Sequence, residues 1–250
     1  MPNVWDAGTA KVVASLGFEA LATTSSGHAA TLGRLDGAVT RDDVVAHATA
    51  IVEATDLPVS ADFENGFAHE PAGVAANVTL VAATGLAGCS IEDFAKRTDD
   101  PIYDIGLASE RIVAAAEAAH AGPTRMVLTA RAENYLHGRP DLADTIARLQ
   151  QYQEAGADVL YAPGLSDPDD IRRVVSEVDR PVNVIALPNV PTIAELAEMG
   201  VARVSVGGTF AWVAIGAVVE AARELLESGT YGFWAGAVPG RTAARAAFGA

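Results

Sequence analysis

Lysine is nearly missing from this chain. Of 17 basic residues in 250 positions only Lys11 and Lys96 are lysines, and the other 15 are arginines. Lys11 falls in an expected first helix and Lys96 in an expected loop. Imine chemistry, which needs a lysine amine inside the active-site cavity, is therefore disfavoured. Cysteine is scarcer still: Cys89 alone rules out an internal disulfide framework and fits a reducing cytoplasm. No apolar run is long enough to span a bilayer. The opening residues, Met1 to Asp6, lack the charged segment and apolar stretch of a signal peptide. Positive charge is short overall, and a formal net charge of −15 argues against nucleic acid as a partner. An anionic small substrate needs only a local positive pocket and stays open. These absences point to a cytoplasmic protein with neither membrane nor nucleic-acid partners.

What is present is a long alternation of strand-like and helix-like segments. The expected strands are Glu19–Thr24, Pro58–Phe63, Ala87–Glu92, Arg125–Arg131, Ala157–Ala162, Pro181–Ala186 and Val201–Val206. Between them lie Ala-rich helical segments such as 41–54, 108–121, 141–155 and 192–199, with Thr40 as an N-cap and Gly156 and Gly200 as stops. A short strand over Pro2–Trp5 brings the number to eight. The expectation is an α/β fold, a (β/α)₈ TIM-type barrel forming one domain over residues 1–250, with an open doubly wound sheet as the alternative. No GxGxxG follows an early strand, which weakens a dinucleotide-binding reading. A long last helix, 210–228, is followed by an aromatic tail, Tyr231-Gly232-Phe233-Trp234, of the kind that packs on another subunit.

Acid gathers where two of these strands end. The first supplies Asp62 and Glu64, the second Glu92 and Asp93. In parallel α/β proteins strand C-termini are where ligands bind, and clustered carboxylates call for a hard cation such as Mg²⁺. Arg131 ends the next strand and could receive a substrate carboxylate or simply pair with Glu92 or Glu133. Thr24, Ser25, Ser26, Gly27 and His28 form a hydroxyl- and amide-rich turn suited to an oxyanion, or a loop with a helix cap. Asn183 lies on a later strand of the same pocket. Asp62 and Glu64 would share one strand face, as edge-strand surface acids also would. Cys89 reads as core, His47, His69, His120 and His137 as helix-surface or loop residues, and Gly207-Gly208 as either a barrel phosphate turn or a simple turn.

The segments Ser26-Gly27, Asp62-Phe63-Glu64-Asn65-Gly66, Ile91-Glu92-Asp93 and Thr129-Ala130-Arg131, in this order, resemble the isocitrate lyase/phosphoenolpyruvate mutase superfamily over nearly the whole chain. The resemblance implies a barrel whose last helix is swapped between subunits of a homotetramer or homodimer. It implies Mg²⁺, with Mn²⁺ as a substitute, held by Asp62 directly and by Glu64 and Glu92 through waters. Ser26, Gly27, Thr24, Arg131 and Asn183 would bind a small anionic carboxylate, and Arg131, Lys96 and Glu92 would be catalytic. The implied activity is that of a lyase acting on a 2-oxo- or 2-hydroxy-carboxylate through an enolate, by C–C cleavage or decarboxylation. The alternatives are P–C chemistry on a phosphonopyruvate-type substrate, or binding without turnover. One departure separates this chain from the lyase branch. Where that branch carries Lys-Lys/Arg-Cys-Gly-His, this chain reads Lys96-Arg97-Thr98-Asp99-Asp100, and a threonine hydroxyl is far too weak an acid to replace the thiol. Family members also carry a further stretch before the first strand, and in them the counterpart of Asp6 lies near the pocket floor.

Overall fold

Helix caps and strand formers alternate along the chain, and the computed structural model, which describes residues 1–249, turns that alternation into a ring. The strands are β1 (Asn3–Val4), β2 (Leu21–Thr23), β3 (Val59–Asp62), β4 (Gly88–Glu92), β5 (Val127–Arg131), β6 (Val159–Tyr161), β7 (Val182–Ile185) and β8 (Arg203–Ser205). All pair in parallel and in sequence order, β1 to β8. Asn3 closes the circle: its Oδ1 accepts from the N–H groups of Val206 and Gly207, at 2.9 and 3.0 Å. This is the (β/α)₈ barrel, not the open sheet.

The helices are α1 (Ala7–Ser15), α2 (Ser25–Thr31), α3 (Arg41–Val52), α4 (Pro71–Ala82), α5 (Ile105–His120), α6 (Leu142–Glu154), α7 (Pro168–Glu177), α8 (Ile193–Glu198), α9 (Thr209–Ser228) and α10 (Trp234–Phe248). Short side chains set where they start. Asp6, Thr40 and Thr192 each form a capping box, and Asp104, Asp141 and Asp167 accept from first-turn N–H groups. Gly156 and Gly200 end helices at φ 99° and 88°, a backbone region that favours glycine. The apolar core lies between the outward strand faces, such as Phe63, Ile91, Leu128 and Leu160, and the helices, through Val78, Ile112, Leu149 and Val174. Cys89 belongs to this core, where burial pushes its thiol up to about 12.

Two expectations need correcting. The aromatic segment 231–234 is not a tail but the lead into a tenth helix. That helix returns to pack on α1, with Phe248 against Gly8. Asp6 is exposed and caps α1, so it is not on a pocket floor. The helix α9 stands apart from the barrel, burying only Ala211 of its 20 residues and exposing Trp212, Val213, Val218 and Leu226. Among the described residues no helix is long and apolar enough to cross a membrane.

Candidate active site

Period-two alternation decides what faces the barrel interior. On β3 the inward residues are Ser60 and Asp62, on β5 Thr129 and Arg131, on β7 Asn183 and Ile185, and on β8 Arg203 and Ser205. Together with Ser90 of β4 they line one cavity of about 180 Å³. Its mouth adds Thr24, Ser25 and Ser26 from the start of α2, Asp36 from the loop after it, and Tyr161 from β6.

Arg131 is the hub. Glu92 is its register partner across β4 and β5. The guanidinium meets Asp62 at 2.8 Å, Glu133 at 2.7 Å and Glu92 at 3.2 Å. Burial works against its charge, but Glu133, Glu92 and Asp62 together hold its pKa far above the ordinary range. The carboxyls of Glu92 and Glu133 are pushed up by burial, while Arg131 draws both down. Asp62 links the hub to α2, its Oδ2 accepting from the Ser25 N–H at 3.0 Å. The Ser25–His28 segment is thus both readings at once, a capped helix start at the cavity mouth whose Ser25 N–H donates to Asp62 and whose Gly27 N–H donates to Thr24 Oγ1.

The four acids part company. Asp62 and Glu92 share Arg131, but Glu64 lies beyond the end of β3 with a left-handed backbone (φ 47°), so it does not share a strand face with Asp62. Its Oε2 pairs with Lys96 Nζ and its Oε1 is buried without a partner. Burial pushes the Glu64 carboxyl up, against the pull of Lys96. Asp93 points away from the interior and accepts from the Glu133 N–H, Arg148 and Tyr152 OH, at 2.8, 3.1 and 2.6 Å. It fixes the backbone behind the hub and does not belong to the cavity.

Strain collects around this mouth. Glu64, Phe67 and Lys96 all have φ near +50°, sparsely populated for residues with a side chain. The buried Arg111 holds the 65–69 loop in place by donating to the carbonyls of Asn65, Ala68 and His69. Lys96 bridges two loops, since Nζ also reaches Gly37 O at 3.5 Å.

Other expected residues fall as follows. Thr24 and Ser26 line the cavity, and Asn183 lies deeper within it. Gly27 does not line it: its N–H goes to Thr24 Oγ1, and its Cα faces Trp5 and Ala211. Thr98 is exposed. His47 is not a surface residue but stacks on His28 at 3.8 Å with its Nε2 on Trp5 O. Gly208 packs so closely on Ser26 that an added Cβ would collide with the hydroxyl. Asp36, Ser60, Ser90, Tyr161, Arg203 and Ser205 were not singled out by sequence. Stepping back by two from Asp62, Glu92 and Arg131 finds Ser60, Ser90 and Thr129, and that period was the missed signal.

A divalent cation fits this donor set. The oxygens are carboxylate throughout, the chemistry of a hard ion, and Glu64 Oε1 stands buried and unused. Among the described residues no three potential ligands converge into a cage. Mg²⁺ commonly needs none, binding one or two carboxylates and keeping its waters.

The family model for phosphoenolpyruvate phosphomutase matches residues 1–226. An uncharacterized protein of Mycobacterium tuberculosis H37Rv is 35% identical over 225 residues, covering 89% of this chain and 83% of the relative. An oxaloacetate decarboxylase of Pseudomonas savastanoi pv. phaseolicola is 32% identical over 234 residues, covering 89% and 78%. A crystal structure from Burkholderia cenocepacia J2315 superposes with a TM-score of 0.95 at 52% identity, covering 98% of this chain and 89% of that one. The chain therefore belongs to the phosphoenolpyruvate phosphomutase family, within the isocitrate lyase/phosphoenolpyruvate mutase superfamily.

Proposed function

We propose that this chain is a Mg²⁺-dependent lyase acting on a small 2-oxo- or 2-hydroxy-carboxylate through an enolate, by C–C cleavage or decarboxylation. The observation that carries the reading is the meeting of Asp62 and Glu92 on Arg131, with Asp62, Arg131 and the start of α2 lining one cavity. Asp62 would hold the cation, with Glu64 and Glu92 on its waters, and Mn²⁺ could replace Mg²⁺. The ion would supply Lewis acidity to the 2-oxo oxygen. Arg131 would orient the carboxylate, and Ser26 offers a hydroxyl beside it. Lys96, tied to Glu64 and Gly37 O, would assist from the loops beside the cavity if its pair with Glu64 opens. The oxaloacetate decarboxylase relative supports the decarboxylation form of this reading.

P–C chemistry is the weaker alternative. It would use Lys96 and Arg97 as a phosphoryl pocket, but Lys96 turns onto Glu64 and Arg97 onto Asp100. The exposed apolar face of α9 supports a swap of this helix onto a second copy, in a homodimer or homotetramer.

Calorimetry with oxalate, a planar mimic of the pyruvate enolate, tests the reading. Binding is expected to be at least about tenfold tighter with Mg²⁺ than without, and to disappear in Asp62→Ala. Oxalate binding that ignores both Mg²⁺ and Asp62 would refute it. Binding with no turnover across 2-oxo and 2-hydroxy acids would favour a binding protein.

A further inference from the structure

TIM-barrel interiors are usually filled by layers of branched apolar side chains. Below the mouth of this one the lining is polar: Ser60, Ser90, Thr129, Asn183 and Arg203 share the cavity wall. Arg203 donates from Nε to Asn183 Oδ1 and from Nη2 to Thr129 Oγ1, both at 2.8 Å. Both acceptors are neutral. Asn183 is held in that orientation by its own Nδ2, which donates to Ser205 Oγ at 3.0 Å. Nη1 has no partner among the described residues, and no carboxylate of those residues lies within ion-pair distance of Arg203. Burial pushes its pKa down to about 10, so it is still a cation at neutral pH.

Arg203 is half-buried in the cavity wall, and a partly desolvated cation without a counter-charge is favoured by an anion that completes it. The depth of the site says which anion. Arg203 is anchored to Thr129, two residues below Arg131 on β5, so its anchor lies roughly 7 Å of strand rise below the backbone position of Arg131. That separation suits the two ends of one short dianion better than two unrelated ligands crowded into a cavity of about 180 Å³.

We propose that Arg203, presented by Thr129 and Asn183, is the specificity-determining receptor for the distal carboxylate of the ligand, which makes the preferred substrate a dicarboxylate. This rests on the reading of the mouth as the place that takes the 2-oxo-acid end. The distal group enters the polar layer and accepts from Arg203 Nη1, with the Ser60 and Ser90 hydroxyls available to its remaining lone pairs. A monocarboxylate leaves the arginine unpaired and binds more weakly.

The test compares two unreactive probes in the presence of Mg²⁺: oxamate, which lacks a distal carboxylate, and N-oxalylglycine, which has one. Wild-type protein is expected to bind N-oxalylglycine at least about tenfold tighter than oxamate. Arg203→Met should bring the two affinities together, mostly by weakening N-oxalylglycine. Should that variant fold poorly, Asn183→Asp provides the second arm. It sets a carboxylate against the guanidinium with almost no change of shape, and should abolish the same preference. Equal binding of the two probes by wild-type protein overturns the proposal and leaves the mouth reading intact, as does a preference that survives both substitutions. If chloride tightens oxamate and N-oxalylglycine gains nothing, the arginine serves a free anion and the proposal falls. Failure of both probes to bind overturns the mouth reading and this inference with it.

Discussion

Arg131 and Arg203 look into the same barrel interior from different depths, and their surroundings could hardly differ more. Arg131 stands within 3.2 Å of three carboxylates, whereas Arg203 touches only an amide oxygen and a hydroxyl. The upper arginine is met by three carboxyl groups and organises them, Glu92 and Glu133 being pushed up by burial and drawn down by Arg131. The lower one has no carboxylate beside it among the described residues. One barrel thus holds its two arginines in opposite charge surroundings. The difference arises from which acids the βα loops deliver. Glu133 lies two residues after β5, Asp62 and Glu92 end their strands, and among the described residues no acid lines the deeper part of the cavity.

The harshest way to break this contrast is to remove the upper cation. Arg131→Met leaves Asp62, Glu92 and Glu133 buried against one another with no counter-charge. Breaking a buried pair by deleting one partner typically destabilises by about 3–5 kcal/mol. Denaturant unfolding should show a loss of that order, with enzymatic activity abolished. A loss below about 1 kcal/mol would mean that solvent, not Arg131, compensates these acids.

A second test extends the contrast to buried bases that stay neutral. His28 and His47 stack at 3.8 Å, and burial together with the neighbouring His28 pushes the His47 pKa down to about 4. In the unfolded chain a histidine titrates near 6.5. Above that pH neither state binds the proton, so the pair is harmless. Between 6.5 and about 4 the unfolded state binds it preferentially, and stability falls as the pH drops. Discounted for the partial exposure of His47, the loss by pH 4 is about 2 kcal/mol. His47→Gln, which keeps a donor for Trp5 O, should flatten this limb of the stability profile. An unchanged slope would place the acid sensitivity elsewhere.

The barrel was legible because its signals are local. Alternating strands, capping residues such as Thr40 and stops such as Gly156 gave all eight βα units, even the two-residue β1. The mouth was legible for a related reason: Asp62, Glu92 and Arg131 all sit at strand ends, where topology alone predicts function. Three features were not. Glu64 lies in a left-handed loop backbone held by the distant Arg111, a contact 46 residues away in sequence. Asp93 differs from Glu92 by one position, hence by one strand face, and so serves Arg148 and Tyr152 instead of the cavity. Arg203 was passed over because nothing in its own segment marks it. Its meaning comes from the missing acid, and an absence across five strands is visible only once the ring is closed.

The gentlest test repeats the Arg131 substitution one level down and asks only about stability. Arg203→Met removes a half-buried charge that has no ionic partner among the described residues, which by itself favours the folded state. It also strips Asn183 Oδ1 and Thr129 Oγ1 of their donor, and a buried acceptor left unsatisfied costs about 1–3 kcal/mol. These effects oppose one another, and cavity water can reach the orphaned acceptors, so the net change in unfolding free energy should stay within about 1 kcal/mol of zero. The same Arg→Met exchange would then be severe at position 131 and nearly silent at position 203. A loss of about 3 kcal/mol or more at 203 would instead show that the lower arginine is a structural pillar of the barrel. A near-silent result would mean that the fold does not need this cation, leaving ligand recognition as the reason a barrel interior keeps an arginine there.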